Sequence, residues 1–106
     1  MCIERPENSG SINLLPSKVS FGQVTLELIG GQKQCGFIKP GKTVVRVTSK
    51  EPYSPTASDP AACKSEPKVI RAKKGEVLTL AVWPAIRDSS HACGWLIKKH
   101  GEQPYN

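Results

Sequence analysis

The chain lacks a Cys-x-x-Cys pair, a Gly-x-Ser-x-Gly elbow and a His-Glu-x-x-His signature. These absences remove the usual marks of zinc ribbons, thioredoxin-like redox centres, α/β hydrolases and zinc proteases. No apolar run nears the ~18 residues of a membrane helix, and no basic-then-apolar leader opens the sequence. Aromatics are scarce, with two each of Phe, Tyr and Trp. Four of them, Phe21, Phe37, Trp83 and Trp95, sit in strand-like runs where core packing is the default. Only Tyr53 and Tyr105 are left for a base-stacking platform. Acids are few as well. Nine Asp and Glu lie scattered among fifteen Lys and Arg, giving a formal net charge of +6 and no inward-facing carboxylate pair.

What the 106 residues do contain is punctuation, nine Gly and nine Pro, spaced too closely for long helices. Between these breaks lie short runs with the two-residue period of a half-buried strand. Val24, Leu26 and Leu28 alternate with polar residues, and the spacing predicts strands near 24–28, 33–39, 42–49, 68–72, 76–83 and 93–99. Gly30-Gly31 suits a hairpin between the first two strands, and Pro40-Gly41 a type II turn before the third. Residues 50–67 hold four prolines and read as one long loop. Residues 84–92 form a second loop with at most one short helical turn at Asp88–Ser90. Cys35-Gly-Phe-Ile and Cys93-Gly-Trp-Leu echo one another as possible equivalent strand starts. The fold class is therefore all-β: a small antiparallel β-sandwich of about six to seven strands, immunoglobulin-like or transthyretin-like in its Greek key. It occupies residues 18–100, with a flexible tether at 1–17 and a loose tail at 101–106.

Four dispersed cysteines in so small a domain point to disulfides and an oxidising compartment. If successive strands run antiparallel, Cys35, Cys63 and Cys93 converge at one pole, together with both long loops. That favours Cys35 with Cys63, with Cys63–Cys93 close behind and Cys2–Cys93 open to an unmodified Cys2. Cys2 followed by the polar run to Ser17 resembles the mature end of a bacterial envelope lipoprotein. The resemblance implies lipid attachment at Cys2, export to the periplasm or outer membrane, and a membrane partner through that anchor.

Cys35, Cys63, His91 and Cys93 are the residue types of a structural zinc site, but only His91 and Cys93 are close in sequence, so no metal or cofactor is expected. Asp88, Ser89, Ser90 and His91 are sequence neighbours whose side chains point apart, which is no basis for a triad. Lys39, Lys42, Arg46 and Lys50 cluster around one strand, and Lys64, Lys68, Arg71, Lys73 and Lys74 around another. Such residues serve a polyanion stripe or guard strand edges. The reading is a non-enzymatic, monomeric binding or structural module contacting a protein or envelope glycan through loops 50–67 and 84–92. Tyr53, Asp59, Trp83, Arg87 and His91 are its contact candidates. The alternative is a cytosolic module that binds nucleic acid. A protein inhibitor of a host enzyme and a zinc-binding protein rank below it.

Overall fold

The computed structural model describes residues 1–7, 14–50, 59, 63–85 and 94–103. Nine strands run in chain order: β1 (Cys2–Glu4), β2 (Ser17–Phe21), β3 (Val24–Leu28), β4 (Lys33–Cys35), β5 (Gly41–Ser49), β6 (Cys63–Lys64), β7 (Lys68–Ala72), β8 (Thr79–Pro84) and β9 (Trp95–Lys99). Among the described residues there is no α-helix. The strands form two packed sheets, one in the order β4-β1-β8-β9 and the other β3-β2-β5-β6 with β7 also on β5. The molecule is a small β-sandwich.

The alternation that predicted β3 also builds its neighbours. Val19 and Phe21 of β2, Val45 and Val47 of β5, and Leu80 and Val82 of β8 point inward at two-residue intervals and are buried. Ile3, Leu28, Cys63, Trp95 and Ile97 join them in one core. The nine residues of β5 hold two partners along one edge. Gly41 to Val45 pair with β7, and Thr48 and Ser49 pair with β6. Pro67 cannot donate to a ladder, and the break between these partners is bridged by Ser65. Its amide donates to Val47 O at 2.9 Å and its Oγ accepts from Val47 N at 2.8 Å.

Three expectations change here. Residues 1–17 are not a tether throughout: β1 inserts between β4 and β8, and Ile3 is fully buried. Three residues are too short for periodicity to be seen, and β2, with only two large apolar side chains, is barely longer. β1 also lies parallel to β8, so the sandwich is not wholly antiparallel. Gly30-Gly31 and Pro40-Gly41 do not close hairpins. Each carries the chain from one sheet to the other, because β3 and β5 belong to the five-stranded sheet while β4 pairs with β1. The β2–β3 hairpin turns instead at Gly22-Gln23, where Gly22 takes φ 58°. In the tail, Glu102 folds back so that its amide donates to Lys99 O at 3.0 Å.

Candidate functional site

Cys35 and Cys63 lie at opposite ends of the sandwich, so they neither pair nor share a metal. Cys35 stands opposite Cys2, which is level with Thr79 at the start of β8. Cys63 stands opposite Ser49, and Ser65 bridges to Trp95, which pairs with Pro84 at the end of β8. The five residue steps of β8 between those ends span about 17 Å. The single pole expected for the cysteines assumed that Cys35 begins a strand. It ends one, since residues 36–39 leave the ladder.

Cys2 and Cys35 are instead joined to each other, with S–S 2.02 Å and Cα–Cα 4.0 Å. A thioether to lipid would need the same Cys2 sulfur, so this bond and acylation exclude one another. Cys63 is disulfide-bonded too. Cys93, Tyr53, Arg87 and His91 lie outside the described residues, as does the helical turn placed in loop 84–92. Asp59 is exposed. Trp83, on the outer face of β8 opposite Leu96, is half-buried. The Cys35/Cys93 echo does not extend to the aromatics: Phe37 is 97% exposed, whereas Trp95 is a core residue.

The Cys63 end holds a buried polar cluster that sequence reasoning missed, because Arg5 sat in the supposed tether with no pattern around it. Arg5 is 2% exposed. Its guanidinium donates to Leu28 O at 2.7 Å, to Ser17 Oγ at 3.3 Å and to Leu15 O, and lies 4.7 Å from the centroid of the Trp95 ring. Burial lowers its pKa to about 10, which leaves it charged at neutral pH. Trp95 Nε1 donates to Ser49 Oγ at 2.8 Å, and Ser49 Oγ donates to Lys50 O at 2.9 Å. Ser17 and Ser49 are cross-strand partners in the five-stranded sheet. Arg5 and Trp95 thus reach from one sheet to directional acceptors on the other, which sets how the sheets meet at this end.

Beside that cluster the two sheets part. β9 is paired with β8 along one edge, and along the other its described contact is the single Ser65–Trp95 bridge. The gap is an open cleft of about 400 Å³ between β7 and β9, with Lys64, Lys68, Lys98 and Glu66 around it and Trp95 and Ile97 lining it. Among the described residues that edge of β9 carries no further ladder, and such an edge can accept an extended segment by main-chain hydrogen bonding, while the lysines favour acidic character. At the other end a groove of about 470 Å³ runs past the Cys2–Cys35 bond, bordered by Met1, Ile38, Phe37 and Val77.

A phosphate-binding loop was counted absent from the sequence, yet the run 36–43, Gly-Phe-Ile-Lys-Pro-Gly-Lys-Thr, has the spacing of one. That motif works where a loop opens a helix and its amides converge on phosphate. Here Gly41, Lys42 and Thr43 are extended in β5 and laddered to Ala72, Arg71 and Ile70, so the cradle does not form. No family model matches the chain, and neither a curated protein nor a solved structure does.

Proposed function

We propose that this chain is a non-enzymatic module exported to the bacterial cell envelope, where it binds an extended protein segment in the cleft between β7 and β9. The observation that carries export is the Cys2–Cys35 disulfide, with Cys35 at the solvent-exposed edge strand. A reducing cytosol keeps accessible thiols of this kind reduced, whereas an oxidising compartment preserves the bond. Cys63, which is disulfide-bonded as well, supports the same reading. The cleft supports the partner: an open strand edge, an aromatic and aliphatic lining, and three lysines against one glutamate. Because the Cys2 sulfur is engaged, the proposed module reaches the envelope without an acyl chain on that residue.

The test is a thiol titration of protein recovered from its native compartment and denatured without reductant. The expected result is no free thiol before reduction and four afterwards. Four free thiols before reduction would overturn export and favour the cytosolic nucleic-acid-binding alternative.

A further inference from the structure

The outward face of the five-stranded sheet carries charge of nearly one sign. Residues paired across a ladder share a face, so the register brings Lys18 beside Thr48 and Glu27, Arg46 beside Ser20, Lys42 beside Arg71, and Lys64 beside Thr48. All five cations are exposed. Glu27 is the one acid at the outward positions of these strands, and it stands directly across from Lys18. The patch extends about 20 Å along β5 from Lys42 to Thr48 and about 14 Å across four neighbouring strands. Within it is a shallow hollow of about 290 Å³ whose lining includes Ser20, Lys42, Val44 and Arg46 and no acid. Val69, 51% exposed, lies across from Val44 and adds apolar contact between the cations.

We infer that this face docks on the anionic headgroups of a lipid bilayer. A sheet face presents its charges as a broad surface, which fits a plane of headgroups. Double-stranded nucleic acid is read by an element that enters a groove, and single strands need aromatic platforms. The outward positions of β2, β3, β5, β6 and β7 carry no aromatic residue. The inference goes beyond the export reading and rests on this face alone, so a failed thiol count would leave it standing and its own failure would leave export standing.

Each cation held near an anionic membrane strengthens binding about five-fold. The test is co-sedimentation of the full chain with phosphatidylcholine vesicles made with or without phosphatidylglycerol. The unaltered protein should bind the anionic vesicles only, and release as salt rises from about 0.1 M to about 1 M. Lys42→Gln with Arg46→Gln should weaken binding by about 25-fold. Lys33→Gln with Lys99→Gln, an equal change of net charge on the other sheet, should leave it nearly unchanged. All four sites are exposed, and unchanged circular dichroism and tryptophan fluorescence would show that both variants fold. Equal loss in the two variants would overturn the inference in favour of net charge alone. Absence of vesicle binding by the unaltered protein would overturn it, and so would tighter binding to a single-stranded oligonucleotide than to the vesicles.

Discussion

Replacing Cys2 and Cys35 together by serine should cost about 4 kcal/mol of stability. The bond closes a loop with a sequence separation of 33, and the loop-entropy relation gives a cross-link of that span about that effect on the unfolded chain. Little packing is lost in the exchange, because Cys35 is exposed and Cys2 only partly buried, and serine keeps their size. The native consequence falls on β1, whose three ladder residues place Ile3 in the core. Equilibrium unfolding in urea, followed by the fluorescence of Trp83 and Trp95, measures the difference. At about 4 °C per kcal/mol for a domain of this size, the thermal midpoint should fall by about 15 °C. The double variant leaves no odd thiol at this bridge, so reshuffling there does not confuse the comparison. A loss below about 1 kcal/mol with an unchanged denaturant slope would refute the reasoning. It would mean that the unfolded chain already holds the two residues close, or that the sheet alone fixes β1.

Ile3→Ala, which removes a fully buried side chain from the centre of the four-stranded sheet, should cost about 2–5 kcal/mol in the same urea assay. A residue of a mobile tether would cost almost nothing. Gly36→Ala should destabilise by about 1–3 kcal/mol, because an added Cβ would sit 2.7 Å from Val24 Cγ1 and 3.2 Å from Phe21 Cζ. Thermal unfolding by circular dichroism checks it, and a neutral result would show that the sheets have room at this point. Ser49→Ala should cost about 1–3 kcal/mol by leaving the buried Trp95 Nε1 without its acceptor. A shift in tryptophan emission should accompany that loss in the folded state.

Strands whose apolar residues recur at two-residue intervals over a run of five or more residues were legible in the sequence, as β3, β5 and β8 show. β1 and β6, at three and two residues, were not, because a two-residue period needs repetition to be visible. The route between sheets was hidden for a different reason. Gly30-Gly31 and Pro40-Gly41 declare a reversal of direction, yet the same reversal serves a hairpin or a crossing to the facing sheet. Which one forms depends on a strand far away in sequence, here β1, which takes β4 as its partner. That single unknown also displaced Cys35 from the Cys63 end. The basic residues near Lys42 and Lys64 could be found from composition, but only the ladder register sorts them from Lys68 and puts five of them on one face. Arg5 carried no local signal, since its role depends on Trp95, ninety positions later.

The parallel pairing of β1 with β8 sets an order of events for a chain that emerges N-terminus first. Residues 2–4 can meet residues 33–35 early, but their second neighbour, 79–84, arrives only when three-quarters of the chain has appeared. Until then one edge of β1 is open and Ile3 has no closed core to enter. Pairings of such long sequence separation form late and slowly. Most of these residues are therefore available before the four-stranded sheet can close. The Cys2–Cys35 link can hold the first strand in register during that wait.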